Sequence, residues 1–196
     1  MDSIRVAVQA YILALFPQSP GRQPPRQQTR PRGLRLEALA SGLALPSFWT
    51  SAEINDAFAI ANRIWARAAI EFTPVTISQR AEAVPADEGQ MWICFVNRLS
   101  PRSGIAVAFV HDLPSNEGGW GGGRIAAVAE APTNALAGFS GRILAHELGH
   151  VLFDSPFHRD DSPSNLMYGQ RHPRVVTADL LEPDQITRAR ARAQVL

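Results

Sequence analysis

Apolar positions recur at intervals of three and four between Ser51 and Ile70, where Ile54, Ala57, Phe58, Ala61, Ile64, Trp65 and Ala68 mark one buried stripe of a helix. Ser51 is a fitting N-cap, with Ile54 opening the buried face. Elsewhere the period shortens. Glu71–Ser78, Met91–Val96, Gly104–Val110 and Arg124–Glu130 are short runs of β-branched, aromatic or alternating residues set apart by Pro, Gly, Asp and Asn, and they predict four strands. Between the last two, Ser115–Gly123 holds five glycines and Trp120, which predicts a mobile loop or bulge. A second helix is predicted from about Leu136 to Phe153, turning Ile143, Leu144, Leu148, Val151 and Leu152 to the core. A third is signalled by Pro183 in a first turn beside Asp184, with Ile186, Ala189 and Ala193 inward and Arg188, Arg190 and Arg192 outward.

The start of the chain reads differently. Ile4–Phe16 is apolar apart from Arg5 and Gln9, too short to span a bilayer, and Asp2 spoils the positive start of a secretory signal, so an amphipathic or docking helix is expected, with a degenerate signal or anchor as the alternative. From Pro17 to Gly33 the composition changes to Pro, Gln, Arg, Gly and Ser with no apolar period, the mark of a linker. The expected division is an N-terminal extension over 1–33 and one folded domain over 34–196.

Composition narrows the class. The 196 residues are 45% hydrophobic and 19% charged, enough for a buried core, and the net charge of +1 gives no pull toward nucleic acid or a membrane surface. Every basic residue is Arg, for which there is no physical account. The single cysteine, Cys94, lies in the apolar run Met91–Val96, so neither an intrachain disulfide nor a thiolate zinc site can form. Any metal site must be built from His and carboxylates.

Such residues occur at ligand spacing in His146-Glu147-Leu148-Gly149-His150. Four residues apart on a helix, two imidazoles share one face about 6 Å apart along the axis and can reach one metal ion, which a catalytic zinc site completes with a third protein ligand and an open position. Glu147 adjoins the first ligand, so its carboxylate can take a proton from the attacking water and return it to a leaving amine. The bland alternative, two surface histidines on a charged face, fits poorly with the apolar spacing around them. His111 and His172 have no partner at ligand spacing and read as surface or structural histidines.

Downstream, Asn165-Leu166-Met167-Tyr168 follows the two-histidine helix, and with it the chain resembles the metzincin superfamily of zinc peptidases, above all its matrixin-like bacterial members. That resemblance implies an α+β fold: a small twisted mixed sheet with an antiparallel edge strand, packed on two long helices, then a C-terminal subdomain with a methionine turn and a last helix. It implies one catalytic Zn²⁺, with Met167 as an apolar floor beneath it and Tyr168 lining the pocket beyond the scissile bond. It also implies that the strand before the metal helix, here Ile125, Ala126, Ala127 and Val128, is the sheet edge to which an extended substrate adds. The family places a glycine three residues after the second His and the third ligand three residues further on. Those places hold Phe153 and Pro156. A two-residue extension of the turn makes His158 the third ligand, with Asp160, Asp161 and Asp154 as alternatives.

The resulting expectation is a zinc metalloendopeptidase acting on peptide or protein substrates, monomeric, with no nucleic-acid partner and no stable membrane insertion. The family implies a secreted or periplasmic place, although the start of the chain carries no convincing signal. Residues 1–33 contain no cysteine to block the zinc, so if they are a pro-segment they must block it sterically or through another group, and a chain starting near Leu34 is then expected to be the more active. Two rival readings are a zincin using Glu182 as its third ligand, and a catalytically inactive zinc-containing module that binds peptides.

Overall fold

The apolar run at the start of the chain is a strand, not a helix. In the computed structural model, which describes residues 2–17, 47–84, 88–113, 118–130, 137–159, 161–169 and 179–196, Ile4–Pro17 forms β1 and lies between β2 (Ile70–Val84) and β3 (Ile105–Val110), parallel to both. Its side chains alternate between two cores. Val6, Val8, Ala10 and Ile12 enter one, while Tyr11, Leu13 and Leu15 enter the other. A strand buried on both faces reads as an unbroken apolar run, as a buried helix does, and this corrects the docking-helix expectation for Ile4–Phe16. The linker expected to Gly33, after Pro17, and the domain start near Leu34 lie outside the described residues.

The sheet has five strands in the order β2-β1-β3-β5-β4, where β4 is Gly119–Gly122 and β5 is Ile125–Ala129. All pairings are parallel except β4 with β5. The fold is thus α+β, with a mixed sheet and an antiparallel edge, as expected. The expected edge strand is wrong, however: β5 is interior, with β3 on one side and β4 on the other, and among the described residues the edge comes from the glycine run expected as a mobile loop or bulge. At the opposite edge, β2 carries Pro74 beside a register shift, a place where a missing N–H and an extra residue do least harm.

Helix α1 (Ser51–Trp65) is capped by Thr50 rather than by Ser51: Thr50 and Glu53 form a reciprocal capping box, with Glu53 N donating to the threonine hydroxyl at 3.2 Å. It ends sooner than its apolar stripe, passing through a 3₁₀ turn at Ala66–Ala68 and a left-handed Ala69 into β2. The second correction is Met91–Val96, a predicted strand that lies inside helix α2 (Glu88–Leu99). There Met91, Phe95 and Leu99, four apart, are buried, and Ile93 between them is 57% exposed. Cys94 on this helix is half-buried. Helices α3 (Phe139–Phe153) and α4 (Pro183–Ala193) match the remaining two predictions.

One core lies between the sheet and α1, α3 and α4, the other between the sheet and α2. Trp65 ties the first together. Buried in α1, it packs on Phe72 and Phe153 and donates its indole N–H to the Ala145 carbonyl of α3 at 3.0 Å. No helix among the described residues is long and apolar enough to cross a membrane.

Candidate metal centre

Helix α3 carries His146, Glu147 and His150, all buried although polar or charged. Burial of such groups requires partners, and each imidazole has a backbone carbonyl. His146 Nδ1 lies 2.7 Å from Leu166 O, and His150 Nδ1 lies 2.7 Å from Ser155 O. A carbonyl oxygen only accepts, so each Nδ1 bears a proton, and in the neutral rings each Nε2 presents a lone pair. These two Nε2 atoms converge with that of His158. His146 Nε2 is 3.1 Å from His150 Nε2 and 3.2 Å from His158 Nε2, and the ligand atoms of all three lie within 4.8 Å of one another.

Lone pairs aimed at one another across such distances repel unless a cation or a shared proton stands among them. A tetrahedral ion with Zn–N bonds of about 2.0–2.1 Å holds its ligand nitrogens roughly 3.3 Å apart, so the observed spacing fits a metal. Among the described residues the three histidines form a group that could hold such an ion. An all-imidazole set with one exposed member suits zinc with an open coordination position.

His158 reaches the group because the chain turns sharply out of α3. Asp154 adopts φ 47°, ψ 48°, the left-handed turn, one residue after the place where the resembling family has a glycine. Ser155 N then donates back to His150 O at 3.2 Å. The acidic alternatives among the described residues do not join the group. Asp154 faces Arg192 at 4.0 Å, Asp161 pairs with Arg159 at 3.3 Å, and Asp160 is outside the described residues. Glu182, the rival third ligand, accepts from Arg159 Nη1 at 2.9 Å and caps α4. Its carboxylate is committed to a structural ion pair, which corrects that reading.

Residues with no role expected from the sequence alone hold this turn in place. Arg159 N donates to Met167 O at 2.8 Å, so the backbone after His158 is tied to the turn beneath α3 while the Arg159 side chain reaches α4. Asp161 and then Glu182 push the Arg159 guanidinium still further toward its charged form. Asn165 accepts from Met167 N at 2.8 Å and exchanges side-chain hydrogen bonds with Gln185 at 2.9 and 3.1 Å. A signal was present: Glu182-Pro183-Asp184-Gln185 has capping-box spacing, and the box is formed. At the C-terminal end of α3, Arg188 donates to Phe153 O at 3.0 Å, so an arginine expected on the outside satisfies a carbonyl of the last helical turn.

Met167 is buried, and its sulfur fills the space that a side chain at Gly149 would need, so the glycine between the two helical histidines admits it beneath them. On the other side of Glu147 runs β4. A β-carbon at Gly119 would stand 2.6 Å from Glu147 Cγ, and one at Gly121 would meet the Glu147 carbonyl and the His150 side chain. Only glycine lets the edge strand lie against the metal helix at this point. Ile125, Ala126, Ala127 and Val128, expected to face the substrate, are instead fully buried in β5 behind it. Tyr168 is half-buried, its N–H donating to Asn165 O at 3.1 Å, and Phe157 beside His158 is 81% exposed.

The remaining singled-out groups stand apart. His111 Nδ1 lies 3.0 Å from Glu130 Oε2, an arrangement that joins the ends of β3 and β5, and His172 is outside the described residues. Burial pushes the Cys94 thiol up, over the opposing pull of Arg98, which leaves it a poor nucleophile.

No protein-family model matches the chain, and no curated protein matches it. Solved structures do. A chain in a structure of a chaperone–substrate complex superposes with a TM-score of 0.53 at 14% identity over 98% of this chain and 34% of that one. The present chain therefore spans about a third of that protein's length, and the likeness is one of fold alone. A zinc-dependent peptidase from Methanocorpusculum labreanum superposes with a TM-score of 0.41 at 13% identity over 71% of this chain and 94% of that one, too slight a likeness to bear on the site.

Proposed function

We propose that the chain is a zinc-dependent endopeptidase of the metzincin kind, closest in pattern to the matrixins. The observation that carries the reading is the convergence of three Nε2 atoms, two of them on rings locked by carbonyls, beside the helix that carries Glu147. His146, His150 and His158 would hold the ion. When bound, zinc would polarise the scissile carbonyl and make a water acidic enough to lose its proton near neutral pH. Glu147, buried against the glycines of β4, takes that proton and delivers it to the leaving amine. Met167, packed against Gly149 between the two helical histidines, is the methionine turn of this reading.

The edge strand supports an extended peptide as substrate. Gly118 O accepts from Ala129 N at 2.9 Å, and with the register of β4 on β5 this makes Trp120 and Gly122 the positions that bond to β5. Gly119 and Gly121 therefore direct their N–H and C=O groups away from the sheet. A substrate backbone can pair with both, laid beside Glu147.

The test compares zinc content and cleavage of an unstructured protein among wild type, Glu147→Ala and His158→Ala. Wild type should carry one zinc per chain and cleave. Glu147→Ala should keep its zinc while cleavage falls by about 10²–10⁴-fold, and His158→Ala should lose stoichiometric zinc. A folded wild type that takes up no zinc, or that cleaves nothing when loaded with it, would overturn the proposal.

A further inference from the structure

The edge strand beside the metal helix has two unlike faces. Gly119 and Gly121 turn toward α3, paired with Val128 and Ala126 of the core that α3 covers. Trp120 turns the other way, paired with Ala127 of the second core. There its ring stands edge-on to Trp92 of α2, at 5.9 Å between centroids and 88° between planes, and tilts against Phe95 at 6.3 Å. A β-carbon at Gly122 would lie 3.6 Å from the Trp92 ring, so the aromatic surface continues along the strand. Both tryptophans are half-buried. Phe95 beneath them is buried and fixes their height.

We infer that Trp120 and Trp92 form an aromatic shelf that selects large apolar or aromatic side chains in the substrate. This rests on the peptidase reading and deepens it. A peptide added along the outer edge of β4 continues the pleat, so the residue opposite Trp120 projects on the Trp120 face, about 4.5–5.5 Å from it between β-carbons. Its two neighbours project on the opposite face, over Gly119 and Gly121, toward Glu147 and the histidines. The glycines contribute no side-chain contact on that face, so what β4 itself can recognise is confined to the backbone and to the residue above Trp120. Aromatic pairs in such offset or edge-to-face arrangements contribute roughly 0.5–1.5 kcal/mol beyond their burial, or about two- to tenfold in selectivity at that one position.

The experiment is cleavage-site profiling. Zinc-loaded wild type, Trp120→Ala and Trp92→Ala each digest a mixture of unstructured peptides, with zinc content and thermal melting recorded for all three. Wild type should show an excess of Phe, Tyr, Trp, Leu or Met at one substrate position. Trp120→Ala should flatten that excess and raise KM several-fold for a peptide bearing Phe there, with kcat nearly unchanged and zinc retained. Trp92→Ala, on the helix rather than in the sheet, should do the same in weaker form and covers the case in which Trp120→Ala does not fold. Cleavage by wild type without an apolar excess, or an excess unchanged in folded variants, overturns the shelf and leaves the peptidase reading standing. A zinc-loaded wild type that cleaves nothing overturns both.

Discussion

Removing residues 1–33 separates a detachable extension from a structural strand. Val6, Val8, Ile12, Leu13 and Leu15 are each at most 6% exposed, and full burial of a side chain of this kind stabilises by about 1.5–3 kcal/mol. Together they amount to the order of 10 kcal/mol before allowing for a compact unfolded state. That is comparable to the roughly 5–15 kcal/mol by which whole domains are stable. The loss is also topological, because β1 is the strand through which β2 joins β3. Without it both neighbours expose a ladder of backbone groups to water. A chain starting at Leu34 is therefore expected to be unfolded, not activated: no cooperative thermal transition by circular dichroism, rapid digestion by trypsin, and no stoichiometric zinc. The full chain should melt cooperatively, and Leu13→Ala within it should cost about 2–5 kcal/mol. A truncated chain that is monomeric, melts in one step and binds one zinc would refute the placement of β1 and restore the idea of a removable inhibitory segment.

Three smaller perturbations probe the site's supports. Gly149→Ala pushes a methyl group into the Met167 sulfur and should cost about 1–3 kcal/mol by thermal melting, with weaker zinc binding because the strain falls between two ligands. Arg159→Ala frees the chain after His158 from Glu182, and a competition titration should show zinc affinity reduced about tenfold or more while the melting temperature of the metal-free protein moves little. Asp154→Gly relieves a left-handed residue whose pairing with Arg192, at 4.0 Å and well exposed, contributes little, so the melt should rise by up to about 1 kcal/mol equivalent with zinc binding retained.

The legible parts of this chain were those whose periodicity had one meaning. The stripe from Ile54 to Trp65 is half-buried and could only be a helix face, and His146 and His150 gain their meaning from helical spacing alone. Ile4–Phe16 and Met91–Val96 mislead in opposite directions for one reason. A strand buried on both faces and a helix packed under a sheet both present a run of apolar residues with few polar interruptions, and flanking chemistry does not separate them. What would have helped is the partner: β1 is a strand because β2 and β3 flank it, a fact distributed over residues 66 and more positions away. The Glu182 reading failed similarly, since nothing local announces that Arg159 claims its carboxylate.

Glycine content was the least legible signal of all, because three of the four β4 residues have no side chain to carry a pattern. Strand propensity argues against such a segment, yet the space beside it decides the matter. Glu147 and His150 occupy the volume that β-carbons at Gly119 and Gly121 would fill. The same strand forms a tight antiparallel turn into β5, with Gly122 opposite Ile125 and Gly123 at φ 59°, so a bare backbone is pinned flush on the helix that bears the histidines. A side chain at either position would lift the edge away from Glu147, separating the backbone groups proposed to receive a peptide from the carboxylate proposed to act on it. Glycine here is therefore a requirement of the site's geometry, and flexibility, the property first read from the run, is what pairing with β5 and packing on α3 remove.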